Sequence, residues 1–297
     1  MKPISVLFGF LCAINLPAQA KEYELKDVEI ENYNWIGQLP PSRKVKVINK
    51  YGNVSTRIRS ESQIGVSAAI QKIGPNPAIP DFNIRETSEH TLITVIYPNG
   101  QRDEDGDFIG RVDIAVTIPE TISIEMESTW GDIKSKKHFS NLKAKTISGN
   151  IALGSVGALN ASSISGNITI DHYNINWPNN QYIETQTGDI HFTISKLSNI
   201  SIQAQAKFIQ SNYAQHNIYK NHKNSSISIA LNNSSTLMEL IAPNGLININ
   251  MIDKPHGGYV GIPAEFSGDI RNLPTVSPWK PGDPIIDKNY KNQHRKK

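Results

Sequence analysis

The feature that most constrains this chain is a four-residue phrase that returns between Trp130 and Ile194. It reads Trp130-Gly131-Asp132-Ile133, then Ser148-Gly149-Asn150-Ile151, Ser165-Gly166-Asn167-Ile168 and Thr187-Gly188-Asp189-Ile190. Its glycines step by 18, 17 and 22 residues. A Gly-Asn or Gly-Asp pair tolerates positive φ, so each phrase predicts a tight turn between two strands. A turn that recurs at a near-fixed period predicts a repeat architecture.

The flanks of the phrase alternate. Leu142, Ala144 and Thr146 lead into the second copy, and Ile151 and Leu153 leave it. Leu159 and Ala161 lead to Ile168 and Ile170, and Ile183 and Thr185 to Ile190, Phe192 and Ile194. A period of two is that of a half-buried strand. A unit of this length, at about 3.3 Å per residue, follows a path of roughly 55 to 75 Å. That suits one coil of a β-solenoid with coils stacked about 4.8 Å apart, and it also suits a strand pair of a β-sandwich. The glycine column favours the solenoid, because solenoids repeat turn residues coil after coil. No helical period persists, so the expected fold is all-β, a β-solenoid of stacked strand-turn units, with a β-sandwich as the alternative.

Outlying copies extend the pattern. Tyr51-Gly52-Asn53-Val54 precedes it; Pro243-Asn244-Gly245-Leu246 and Ser267-Gly268-Asp269-Ile270 follow. Between Ser195 and Asn233 the glycine drops out, although Ile200, Ile202 and Ala204, and later Ile227, Ile229 and Leu231, still alternate. The number of coils there stays open. Nearer the start, Val45 and Val47 alternate with lysines, and Ile64 to Ile73 reads as a strand or a short helix. Thr91 to Tyr97 and Arg111 to Ile118 read as a hairpin. The structural turn positions are therefore Gly131, Asp132, Gly149, Asn150, Gly166, Asn167, Gly188, Asp189, Gly268 and Asp269.

The first 20 residues have the form of a secretory signal. Lys2 supplies the positive start, Ile4 to Leu16 a short apolar run, and Ala18-Gln19-Ala20 a small-x-small cleavage site after Ala20. Residues 21–121 then read as an N-terminal β region holding first coils or a cap, 122–270 as the repeat-bearing solenoid, and 271–297 as a Pro-rich basic tail. The single cysteine, Cys12, falls inside the signal. The mature chain would have no disulfide, which fits a bacterial envelope, periplasmic or surface-exposed. Formal net charge is +3, but from Arg271 onward seven cations face two acids, so the body is near neutral. A neutral body does not suggest nucleic acid as a partner.

The residues give no reaction centre. The column Asp132, Asn150, Asn167, Asp189 would bring carboxylates onto neighbouring coils, but a position that accepts Asn is a turn position, not an acid or base. His138, His172, His191 and His256 show no metal-ligand spacing. The loop Asp103-Glu104-Asp105-Gly106-Asp107 lacks the bidentate Glu of a calcium loop. No nucleophile elbow, phosphate loop or dinucleotide fingerprint is present. No catalytic, cofactor-binding or metal residues are expected, and no cofactor. Arg43 to Arg59 holds six cations and no acid, an anionic-ligand face or simply a solvated strand face. Trp177 and Trp279 lie near prolines, where they could stack on sugar or cap the core.

The secretory start, the strand ending Val116-Thr117-Ile118-Pro119 and the repeated Ser-Gly-Asn-Ile and Gly-Asp-Ile phrases together resemble a large bacterial family. It is the family of adhesin-like domains of unknown function, akin to the head-GIN adhesin-like domains. The resemblance runs from about Val45 to Ile270. It implies an exported β-solenoid-like domain and carries no catalytic residues. The expected role is binding or structural in the cell envelope, with an envelope polysaccharide or another envelope protein as partner. The alternative is a polysaccharide-active β-helix enzyme, a lyase or glycoside hydrolase.

Overall fold

Alternation decides the elements. The computed structural model describes residues 28–59, 63–74, 77, 79–97, 110–177, 179–213, 218–220, 224–232 and 235–253. The signal segment with Cys12, the acidic loop 103–107, His256, the Ser267–Ile270 phrase with Gly268 and Asp269, Trp279 and the basic tail lie outside them. Among the described residues there are 19 strands and no helix. They begin with β1 (Val28–Gln38), β2 (Lys44–Tyr51), β3 (Val54–Ile58), β4 (Gln63–Ile73), β5 (Asp81–Glu86), β6 (Thr91–Ile96) and β7 (Gly110–Ile118). The regular part follows with β8 (Ser123–Trp130), β9 (Ile133–His138), β10 (Leu142–Ser148), β11 (Ile151–Ser155), β12 (Leu159–Ser165), β13 (Ile168–His172), β14 (Gln181–Thr185) and β15 (Ile190–Ser195). The last are β16 (Ile200–Ser211), β17 (Tyr219–Lys220), β18 (Ser225–Leu231) and β19 (Leu237–Ile252).

The strands on either side of a Gly-Asx phrase do not pair with each other. β10 pairs in parallel with β8 and β12, and β11 with β9 and β13. The phrase is thus a corner that carries the chain from one face of a folded sheet to the other, where the sequence predicts a turn between paired strands. Backbone bonds run through it without a break: Gly131 N donates to Ser148 O at 3.0 Å and Ile133 N to Asn150 O at 2.9 Å. The result is a β-solenoid of two faces.

The stack is not in sequence order. From one end it runs β6/β7, β2/β3, β8/β9, β10/β11, β12/β13, β14/β15, then β19 and finally β16. β16 and β19 each cross both faces as one strand. At each end the chain visits an outer level and returns inside it: β2/β3 lies between β6/β7 and β8/β9, and β19 lies between β14/β15 and β16. β6 and β7, expected as a hairpin, instead belong to different faces. β6 pairs with β2 and β5, and β7 with β3 and β4.

Antiparallel strands close the ends. β4 covers β7 and β1 covers β4 on the second face, and β5 covers β6 on the first. Tyr33 of β1 stacks on Phe82 of β5 at 3.9 Å, joining the two caps over the core. At the other end β18 lies antiparallel on the first half of β16.

One core fills the space between the faces. Ile133, Ile151, Ile168, Ile190 and Ile247 follow one another level by level, all at most 1% exposed. Phe192 is fully buried in the next column. β-Branched side chains suit such pleated, packed columns.

Candidate functional site

The corners hold most of the residues the sequence singled out. A Cβ on Gly131 would strike the carbonyl of Gly52, one on Gly149 that of Gly131, one on Gly166 that of Gly149, and one on Gly188 that of Gly166. Glycine is therefore imposed by how closely one coil's corner sits on the next. Positive φ adds to this at Gly52, where φ is 122°. The Asx residues themselves are absent from the left-handed region, so their role differs from the local turn chemistry the sequence suggested.

That role is a ladder between coils. Asp132 N donates to Asn53 Oδ1 at 2.9 Å, Asn150 N to Asp132 Oδ1 at 2.8 Å, Asn167 N to Asn150 Oδ1 at 2.9 Å and Asp189 N to Asn167 Oδ1 at 2.9 Å. Asp113 starts the series by accepting from Asn53 N at 2.7 Å, and Leu246 N ends it on Asp189 Oδ1 at 2.7 Å. Each rung needs one side-chain oxygen, which Asn and Asp both offer. A second column secures the glycine carbonyls. Ser128, Thr146, Ser163 and Thr185 donate their hydroxyls to the carbonyls of Gly52, Gly131, Gly149 and Gly166.

This geometry bears on chemistry. Asp132 and Asp189 are three levels apart, roughly 14 Å at the usual strand spacing, beyond the reach of a glycosidase pair. The histidines do not converge. His138, Ser155 and His172 occupy one buried column on successive levels. Burial pushes the His138 imidazole down to about 4 and that of His172 to about 3. Both stay neutral near pH 7. His191 lies on the outer surface of the second face, level with Thr169 and Asn248. Among the described residues no group of three or more His, Cys, Asp or Glu is placed to hold a metal ion. Nor is any helix there long and apolar enough to cross a membrane.

The tryptophans divide. Trp177 is 6% exposed, with His172 flat against it at 3.5 Å, so it caps the core and offers no sugar platform. Trp130 is 39% exposed and stacks on Tyr51 at 5.0 Å. Trp35 packs half-buried against the core.

Within the cationic stretch from Arg43, Lys46 is paired with carboxylates of the neighbouring strand. Lys46 donates to Glu127 at 2.7 Å and Glu125 at 3.2 Å, and Lys143 donates to Glu125 at 3.0 Å. Burial alone would lower the Lys46 ammonium and raise the Glu125 carboxyl. The hydrogen bonds within the cluster reverse both, holding Lys46 above and Glu125 below its ordinary value. Beside this cluster lies a groove of about 340 Å³ lined by Lys44, Lys46, His90, Glu125, Lys143 and Asn160.

The other end of the same face was not picked out from sequence. There Gln203, Gln205, Ser226, Ser228 and Glu239 point outward. The signal was available: Ile202, Ala204, Ile227 and Ile229 alternate as inward residues, so the residues between them must face out.

No family model matches the chain, and no curated protein matches it. Two solved structures are similar in shape. One, a "putative cell adhesion protein" from Clostridium sporogenes, has 15% identity and a TM-score of 0.42, covering 75% of this chain and 100% of its own. The other, a "putative adhesin" from Bacteroides fragilis, has 12% identity and a TM-score of 0.39, covering 75% of this chain and 97% of its own. Neither likeness is strong enough to transfer a role.

Proposed function

We propose that this chain is an exported adhesin-like β-solenoid that works by binding, or as a structural element, in the bacterial cell envelope and catalyses no reaction. One observation carries the reading: the groups capable of acid or base chemistry that lie at the corners, in the buried histidine column and on β8 are committed to the architecture. Asp132 and Asp189 are rungs between coils, and Glu125 and Glu127 are held by lysine. His138 and His172 are enclosed. The outward sides of the sheet faces carry polar side chains, charged ones on β8 and β10 and neutral ones such as Asn160, Ser162, Gln203 and Gln205 beyond them. Such faces suit recognition of an extended, hydroxyl-rich partner, an envelope polysaccharide or another envelope protein.

The polysaccharide-active alternative has one point in its favour. Glu125 and Glu127 lie side by side on β8, their oxygens on the one Lys46 ammonium at 3.2 and 2.7 Å, and a pair of neighbouring carboxyl groups is what glycosidases use. A general acid needs a raised pKa, whereas Glu125 is held down by its neighbours, including Lys143 and Lys46. A glycan array probed with the mature chain, run beside a product-release assay on each retained glycan, tests the proposal. Retention without turnover is expected. Released product that disappears in a Glu125→Gln variant would establish the enzyme instead.

A further inference from the structure

We infer that the outward surface of β16, β17, β18 and β19 on the first face is a subsite for a neutral saccharide, with Tyr219 as its stacking platform. The inference rests on the binding role proposed above and specifies its ligand and place.

The register builds the site. Tyr219 pairs with Ser226, Ser226 with Gln205, and Gln205 with Ile241. In the adjacent row Ser228 pairs with Gln203 and Gln203 with Glu239. Paired residues share a side of the sheet, so these side chains form two parallel rows on four strands. A groove of about 310 Å³ runs along them. That is at the small end of ligand sites, which span about 300–1,000 Å³. Tyr219 lines it while 68% exposed.

The two ends of this face differ in what their polar groups do. Toward β8 and β10 the charges hold one another, as Lys46, Glu125, Glu127 and Lys143 show. In the β16–β19 rows the side chains of Gln203, Gln205, Ser226, Ser228 and Glu239 have no hydrogen-bond partner among the described residues. Each amide offers two donors and an acceptor, and each hydroxyl one donor and two acceptors. That inventory matches sugar hydroxyls, which also both donate and accept. The tyrosine ring supplies an apolar face for the C–H side of a pyranose while its hydroxyl stays wet. Charge selects within the sugars. Among the described residues that line the groove, Glu239 is the one that carries charge. A carboxylate at that position disfavours uronic acids and phosphorylated sugars and admits neutral ones.

The test uses the mature chain and three immobilised probes: neutral hexose tetramers, uronic-acid tetramers and tetralysine. At least one neutral tetramer is expected to bind. Tyr219→Ala should weaken it about three- to tenfold, the range expected for one aromatic contact. Tyr219→Trp should restore binding, and Gln203→Ala combined with Gln205→Ala should weaken it comparably. Lys46→Ala, in the other groove, should leave it unchanged. Thermal unfolding of each variant distinguishes lost contact from lost fold, and Tyr219→Trp keeps the site testable if Tyr219→Ala unfolds. Neutral binding that ignores Tyr219 and both glutamines would overturn this subsite and leave the binding role standing. Preference for uronic acid or tetralysine would overturn the neutral-saccharide assignment. Turnover of a retained glycan would overturn the binding role itself.

Discussion

At the scale of single residues, the corner phrase records two separate demands. The glycine is fixed by the carbonyl of the coil before it, and the Asx by the amide of the coil after it. In Gly149→Ala the new methyl meets the backbone of Gly131, and a backbone cannot swing aside as a side chain can. Overpacking of this kind costs about 1–3 kcal/mol, so urea unfolding should show a loss in that range. An unchanged midpoint would mean that the corners are looser than described. The choice between Asn and Asp carries its own information. Up the ladder the order is Asp113, Asn53, Asp132, Asn150, Asn167, Asp189, so no two acids occupy adjacent levels. Carboxylates about 4.8 Å apart repel each other, and one of the pair then titrates at raised pH. Asn150→Asp would create such a pair with Asp132. The folded-state affinity for a proton would rise above that of the unfolded chain. The variant should therefore be less stable than the parent at pH 7, with the deficit shrinking as pH falls through the raised pKa. Paired denaturation curves at pH 7 and pH 4 would show it, and a deficit independent of pH would point to another cause.

At the scale of elements, the strands were legible because alternation is a local signal. The inward residues of β10 to β15 follow directly from it. The corner's geometry was less legible. Gly-Asn reads equally well as a hairpin turn or a coil corner, because what separates them is which strand lies alongside, a non-local fact. The hairpin expected of β6 and β7 failed for that reason. His138 and His172 were legible only as isolated histidines. Their burial depends on Ser155 lying between them and on Trp177 folding back over His172, which no short window of sequence contains. Burial has a consequence for pH. An unfolded histidine titrates near 6.5, whereas in the fold these two are held down to about 4 and about 3. Between those values the unfolded chain binds protons that the folded chain does not, so stability falls as pH drops below about 6.5. The Glu125 carboxyl, held low in the fold, adds a loss only below the unfolded carboxylate value, about 4.3. Unfolding free energy measured from pH 7 to pH 5 isolates the histidines. A decline is expected, and His172→Phe, which keeps a ring against Trp177, should make it shallower. A flat profile in the parent would contradict the buried neutral placement.

At the scale of the whole molecule, the two returns of the chain matter most. A simple solenoid adds coils in order, and each new level rests on the one before. Here β16 is made before β19 yet lies outside it. Among the described strands β16 pairs on the first face with β19 and β18, and on the second with β19 alone. β14 and β15 likewise pair with β19 and not with β16. The last described strand is thus the one that ties the regular coils to the outer level, which also carries Gln203, Gln205 and Tyr219. Such long-range closure is slow to form and cooperative once formed. A chain ending at Asn232 should separate the two parts. The coils from β8 to β13 keep every ladder they have in the full chain, so their amides should remain protected in hydrogen exchange. β16 and β18 lose the strand that joins them to the body, and an isolated two-stranded hairpin is marginal in water. Their amides should exchange at nearly unfolded rates, and the saccharide subsite should vanish with them. Protection of β16 equal to that in the full chain would show that it can dock directly on β14 and β15, and that the inserted strand is not what holds this end together.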